Sequence, residues 1–332
     1  MKKLPEVNQS YEDLFKMLFA PIRSKLLLTG IELKVFNQLS EPKPADAVAQ
    51  ALGTHPRITE VFLDSLTAID LLQKKNGLYR NSPITQVFLV EESPTYLGAF
   101  LQLMPSQLCP ENLSQLIKEG PPPMPEMAFS EEMFAQKYAS VERAGYAQIM
   151  VDVVSELPEF PSFRKMLDLG GGPGLIGMAV VAAHPSMKGV IFDLPPMVKA
   201  AATFIHEYGM EDRMEVLGGD GFRDSIGEGY DLVLVCNSLQ GDKDKLDSVV
   251  KKVYDALNTR GVFISCFGGL THEGTKPEIC ALSLLSMALA GQDTGFDQGF
   301  VADSMLRAGF KSVRSRTLTT PLGPMDLDIA RK

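Results

Sequence analysis

Lys165-Met166-Leu167-Asp168-Leu169-Gly170-Gly171-Gly172-Pro173-Gly174-Leu175-Ile176-Gly177 decides the reading of this 332-residue chain. A short apolar run ends in an acid, glycines and a proline follow, and an apolar helical pattern begins. That order predicts a strand, a tight glycine turn and a helix N-terminus, the opening of a nucleotide-binding βαβ unit. Residues 172–177 also satisfy G-x-G-x-x-G, the dinucleotide fingerprint. The motif alone leaves the ligand of the turn open.

C-terminal to the turn, strand and helix patterns alternate. Strands are predicted at 165–169, 189–193, 214–217, 230–236 and 262–267, and helices at 173–183, 195–208 and 242–257. Helical segments fill 277–308. Two last strands, 312–317 and 326–330, flank Pro321-Leu322-Gly323-Pro324 and read as a hairpin with a long turn. Alternation of this kind implies a parallel sheet covered on both faces, with one antiparallel strand near its end.

N-terminal to the turn the pattern is helical. Over residues 10–40, Leu14, Leu18, Ile22, Leu26, Leu27, Ile31, Val35 and Leu39 recur at helical spacing, with Ser10 as a candidate N-cap and Pro21 expected to kink or divide the element. So apolar a helix must be covered, by its own domain or by a second subunit. Helix 45–52, a turn at Gly53-Thr54-His55-Pro56, helix 57–72 and an Asn-Gly hairpin at Lys75-Asn76-Gly77 make a winged helix. Its second helix carries Glu60, Asp64 and Asp70 against one base, Arg57, a poor surface for phosphates. A structural or dimerisation role is therefore expected rather than DNA binding. Residues 130–154 read as one helix, after the proline run of 121–125. The domain boundary is expected near Leu157, giving units 1–157 and 158–332.

The net charge of −9 argues against a nucleic-acid partner. Cys109, Cys236, Cys266 and Cys280 have no C-x-x-C spacing, so no metal site is suggested and a reduced, cytoplasmic protein is expected. No apolar run reaches the ~18 residues of a membrane span, and Met1-Lys2-Lys3-Leu4-Pro5-Glu6 lacks the apolar stretch of a signal peptide.

Three acids stand at or just past successive predicted strand ends, Asp168, Asp193 and Asp220. Ligands of such sheets bind there. Asp193, 21 residues beyond Gly172, is placed to take ribose hydroxyls, which suits NAD and S-adenosylmethionine equally. Asp168 separates the two. An acid just before the turn repels a pyrophosphate, whereas the ammonium and sulfonium of S-adenosylmethionine are cationic. Asp220 can accept from an adenine amino group, with Phe222 packing nearby. Any one of these acids would equally serve to cap the helix that follows it; three in succession point to S-adenosylmethionine.

At Asp168-Leu169-Gly170-Gly171-Gly172-Pro173-Gly174, Phe192-Asp193-Leu194-Pro195 and Gly218-Gly219-Asp220-Gly221-Phe222 the chain resembles the class I methyltransferases. More closely it resembles the small-molecule O-methyltransferases that include the plant caffeate, hydroxyindole and bacterial carotenoid enzymes. The resemblance extends over nearly the whole chain. It implies a Rossmann-like sheet with an N-terminal α-helical, winged-helix dimerisation domain, a homodimer, and a small-molecule substrate. It also implies that Gly170 and Gly172 line the methionine moiety, that Asp193 holds the ribose and that Asp220 holds the adenine. Asp168, Gly174, Leu194, Gly221, Phe222 and Asn237 complete the expected cofactor set.

Members of that family that methylate a hydroxyl usually carry a histidine base just after strand four. Counting back from Tyr254-Asp255-Ala256-Leu257, its position falls at about Leu239, in Cys236-Asn237-Ser238-Leu239-Gln240-Gly241-Asp242. The family's lysine near the end of that strand is replaced at about Val235. A leucine cannot remove a proton, and four readings follow. The acceptor is a nucleophile that needs no base. Or the base has moved to His272, in the loop after strand five. Or the cofactor serves other chemistry, such as hydroxylation or decarboxylation. Or the protein binds its ligand without catalysis. Candidate acceptor-pocket residues are Met133, Tyr146, Met150, Ser238, Gln240 and Met287, a set that favours a planar or apolar acceptor.

Overall fold

The computed structural model describes residues 4–108, 112–121, 131–238, 243–289 and 295–332. The chain divides into two compact units, Met1–Leu103 and Met104–Lys332.

In the first unit one helix runs unbroken over Glu12–Glu32 with Pro21 inside it, so the expected division does not occur. The helix is exposed on every side through its first half, and water can satisfy the carbonyl that a proline leaves unbonded. Ser10 lies just outside the helix, and its hydroxyl accepts from the Glu12 N–H at 3.1 Å. Helices Ala45–Leu52 and Pro56–Ala68 precede a hairpin of Leu72–Lys75 and Leu78–Asn81, to which Lys43–Pro44 adds a third strand. Asn76 and Gly77 sit at φ 51° and 77°, the left-handed pair that a two-residue turn of this kind demands. Val35, Phe36, Leu39, Leu63, Leu66 and Leu72 form the core of this winged helix. Val61, on the second of these helices, is 45% exposed.

The second unit is built on seven strands, numbered here β1 (Lys165–Leu169), β2 (Lys188–Asp193), β3 (Met214–Gly218), β4 (Tyr230–Cys236), β5 (Leu257–Phe267), β6 (Ser312–Thr320) and β7 (Gly323–Arg331). Their order across the sheet is β6-β7-β5-β4-β1-β2-β3, and only β7 runs against the rest. The β6–β7 turn is short rather than long, since Thr320 pairs directly with Gly323. Gly323 makes this possible at φ 109°. The period of two sends Met166, Ile191, Leu232, Leu234 and Ile264 to one face and Leu167, Leu169, Phe192, Val233 and Phe263 to the other, and both faces are buried. The chain leaves β1 in one direction and β4 in the other, and a sheet of this topology opens its ligand crevice at the strand C-termini there.

Residues 104–157 belong with the sheet rather than with the winged helix, against the expected boundary near Leu157. Tyr146, Met150, Val153 and Val154 pack in the same core as Met166 and Leu232. The predicted helix of 130–154 is two helices, Glu131–Val141 and Ala147–Ser155, parted at 142–146 where Gly145 takes φ 120°.

At the opposite edge of the sheet Asp231 ties β1 to β4. Its Oδ2 accepts from the N–H groups of Arg164 and Lys165 at 2.7 and 3.1 Å, and its Oδ1 accepts from Asn258 Nδ2 at 2.8 Å. Asp231→Ala strands these donors and is expected to lower unfolding free energy by roughly 2–3 kcal/mol. Denaturant titration of the purified variant measures this, and a midpoint equal to wild type counts against it.

Candidate active site

The glycine turn is closed by hydrogen bonds to its own surroundings. Gly170 and Gly171 donate to the Phe192 carbonyl at 2.7 and 3.3 Å, and Gly174 donates to Gly171 at 2.8 Å. Gly172 donates to Asp193 Oδ2 at 2.7 Å. Leu175 and Ile176, which open the helix Leu175–Ala183, donate to Glu142 Oε2 at 2.9 and 3.3 Å, and Gly177 donates to Asp168 Oδ2 at 3.0 Å. Gly170, Gly172 and Gly174 all have positive φ, which glycine alone adopts freely. A Cβ on Gly170 would stand 2.3 Å from that of Ser238, and one on Gly174 2.3 Å from Ile191 Cδ1.

A dinucleotide turn offers free N–H groups to a pyrophosphate. Here the N–H groups of Gly172, Leu175, Ile176 and Gly177 are spent on carboxylates, and the donor set is acidic. It fits a cationic ligand with a ribose diol. Asp168 is placed differently from the direct electrostatic partner foreseen above: it is 1% exposed and committed to the helix N-terminus. Glu142, which shares that task, has no counterpart in the sequence reading, because an acid between helical residues reads as solvated surface.

Asp193 ends β2, and its Oδ1 accepts from the Leu194 N–H at 2.7 Å. Past β3, Asp220 Oδ1 accepts from the Phe222 N–H at 2.8 Å, and Lys252 Nζ holds the loop through the carbonyls of Gly221 and Asp224 at 2.8 and 2.7 Å. Phe222 packs against the core beneath. A Cβ at Gly172 or Gly221 would meet nothing closer than 3.5 Å.

On the other side of the crevice a compact polar set gathers at the ends of β4 and β5. Asn237 sits at φ 55°, its Nδ2 donates to the Tyr146 hydroxyl at 3.3 Å, and it also bonds Tyr138. The Tyr146 hydroxyl lies 3.6 Å from Cys266 Sγ and 3.5 Å from Met325 Sδ. Cys236 and Cys266 are cross-strand partners. Ser238 Oγ donates to the Leu169 carbonyl at 2.8 Å and closes the gap between β4 and β1. Burial holds every titratable member protonated: it pushes both tyrosines and Cys236 well up, and Cys266 to about 11.

Tyr146 and Met150 share the core with β4 and β5, while Met133 is 37% exposed and Met287 is half-buried on the helix Glu278–Leu289. Leu239 and Gln240 lie outside the described residues. His272 is exposed in the turn after β5 at φ 51°, with its Nδ1 3.0 Å from the Thr271 hydroxyl. It is not gathered with Tyr146, Asn237 and Cys266. His184 is buried, its Nδ1 accepting from Ser186 and Met187. His206 is exposed beside Glu211, 2.6 Å away. His184 follows the helix Leu175–Ala183 and His206 lies in the last turn of the helix Pro195–Glu207, and both helices return to the opposite edge of the sheet.

This sheet order and crevice define a class I S-adenosylmethionine-dependent methyltransferase. A family model described as an O-methyltransferase domain matches residues 123–301, and one described as an O-methyltransferase dimerisation domain matches residues 15–91. The chain belongs to the O-methyltransferase family, whose cofactor is S-adenosylmethionine. It is 29% identical to acetylserotonin O-methyltransferase of Bos taurus over 331 residues, covering 93% of this chain and 94% of that one. It is 26% identical over 335 residues to the tetracenomycin polyketide synthesis 8-O-methyl transferase TcmO of Streptomyces glaucescens, covering 96% of both. The solved structure of human N-acetylserotonin methyltransferase with S-adenosylmethionine superposes with a TM-score of 0.80 at 23% identity, covering 99% of both chains. Among the described residues no helix is long and apolar enough to cross a membrane.

Burial pushes Asp168 up to about 7, from an ordinary 3.8; the Gly177 N–H pulls against the shift and the Asp193 charge adds to it. The folded protein therefore keeps a proton that the unfolded chain gives up. The corresponding stability is present below the unfolded value and is lost as pH rises through the folded one. In ligand-free protein, Asp168→Asn should flatten the fall in melting temperature between about pH 4 and 7. Parallel curves for variant and wild type would contradict this.

Proposed function

We propose that the protein transfers the methyl group of S-adenosylmethionine to a small, apolar or aromatic acceptor through an O-, S- or C-nucleophile that ionises without a histidine base. The observation that carries this reading is the buried Tyr146–Asn237–Cys266–Met325 set, in which each titratable group is held protonated. Such groups donate hydrogen bonds and do not remove protons. The Tyr146 hydroxyl faces thiol and thioether sulfurs, which are weak acceptors. Turning that O–H toward an anionic acceptor atom costs little and gains a charge-assisted bond.

The cofactor supplies a methyl group on cationic sulfur. Around it Gly170, Gly172 and Gly174 would form the cradle, Asp193 would take the ribose hydroxyls, with Leu194 beside it, and Asp220, Gly221 and Phe222 would bound the adenine. Asp168 would act through the turn that it braces. Asn237 would orient the acceptor together with Tyr146, and Met150, Met133, Met287, Ser238 and Gln240 would shape its apolar pocket. Catalysis here is positioning of an acceptor already ionised, with water excluded. His272 has no part in it.

Tyr146→Phe should lower kcat about tenfold or more through loss of one hydrogen bond to an anion, with affinity for S-adenosylhomocysteine unchanged within about twofold. His272→Ala should leave kcat within about threefold of wild type, and the pH–rate profile should follow the pKa of the acceptor. A large loss in the His272 variant would instead mark it as the base.

The homodimer is supported by the dimerisation-domain match and by helix Glu12–Glu32, where Leu14, Phe15, Leu18, Phe19 and Ile22 are each more than half exposed. These positions fall at i, i+1, i+4, i+5 and i+8 and form one apolar stripe. Leu14→Asp with Leu18→Asp should yield monomers in analytical ultracentrifugation at micromolar concentration. A dimer that survives both changes would require another interface.

A further inference from the structure

Glu142 is used by no step above, although it is 2% exposed and its side chain reaches the cofactor turn. It sits at the helix break of 142–146, where Ala144 and Gly145 leave helical geometry. The break directs its carboxylate onto the N-terminus of Leu175–Ala183, so that Leu175 and Ile176 are held by Glu142 and Gly177 by Asp168. Three successive donors are thus taken by two buried carboxylates from separate parts of the chain. Four residues on, the same break carries Tyr146, whose hydroxyl bonds Asn237.

We propose that Glu142 is a positioning residue: it sets the glycine turn in its cofactor-binding geometry before any ligand arrives and ties that geometry to Tyr146 on the acceptor side. The inference rests on the reading that this turn holds S-adenosylmethionine. The first N–H groups of a helix have no partner within it, and a single oxygen accepting two of them fixes the direction of the first helical turn. Burial and the Asp168 charge raise the Glu142 carboxyl, while the two N–H groups and Arg143 lower it. The other groups that feel its charge are Tyr138 and Cys236. A cationic ligand entering the crevice draws both acids toward their charged, stronger-accepting forms.

The test compares Glu142→Gln, which keeps an acceptor oxygen and the shape, with Glu142→Met, which keeps only the volume. Calorimetric titration with S-adenosylhomocysteine should give a Kd raised about tenfold or more in E142M, with KM for S-adenosylmethionine raised in parallel and kcat within about threefold. E142Q should stay within about threefold of wild type in all three quantities. E142M binding like wild type would reduce Glu142 to a packing residue and overturn the proposal, as would E142Q losing as much as E142M. Hydrogen exchange on wild type decides the matter even if a variant does not fold. The amides of Leu175 and Ile176 should be protected without ligand, and free exchange until S-adenosylhomocysteine is added overturns the inference. Wild type failing to bind S-adenosylhomocysteine at all would refute the cofactor reading instead, a different result.

Discussion

From Gly170 through Met178 every backbone N–H has an acceptor within the protein, and Pro173 has none to offer. The turn is complete without a ligand, and it is complete only when three elements are in register. β2 supplies the Phe192 carbonyl and Asp193, β1 supplies Asp168, and the helix break supplies Glu142. The two buried carboxylates are costly in apolar surroundings, and the N–H groups of a helix N-terminus are what offset that cost. The crevice, the order of the central strands and the entry angle of Leu175–Ala183 all depend on this exchange.

Much of the second unit was legible because its signals are local. β1 and β4 have the predicted bounds, since each is a short, mostly apolar run closed by residues that a strand does not tolerate well. The Asn76-Gly77 hairpin was legible for the same reason. What failed was whatever depended on surroundings. Pro21 reads as a helix breaker, yet an exposed helix carries it. Residues 130–154 read as one helix, because a lone glycine is a weak break unless a partner such as Leu175 or Ile176 draws the chain aside. Pro158 and Pro161 suggest a boundary near Leu157, whereas the packing of Tyr146 and Met150 against the sheet decides to which unit the preceding helices belong.

The site divides in the same way. Asp193, Asp220 and the glycines stand out as candidates in sequence because they fall at strand ends and in turns. Asp168 stands out for its charge, and the structure commits it to the N-terminus of the helix Leu175–Ala183. Glu142 and Met325 could not be found, since each matters through a partner far away in the chain. Tyr146 read as one of many aromatic residues, and its hydrogen bonds to Asn237 and the sulfurs set it apart.

Asn237 meets two demands at once. Its backbone is left-handed and its amide donates to Tyr146. Glycine would supply the first without the second. Aspartate tolerates the backbone but would bring a third acid near Asp168 and Glu142. Few side chains satisfy both, so this position has little room to vary in sequence. Met287 and Met133 need no left-handed backbone, and their thioethers are flexible. In the proposed site, new acceptor preferences are therefore most accessible through the pocket walls, while the polar hinge at Asn237 stays fixed.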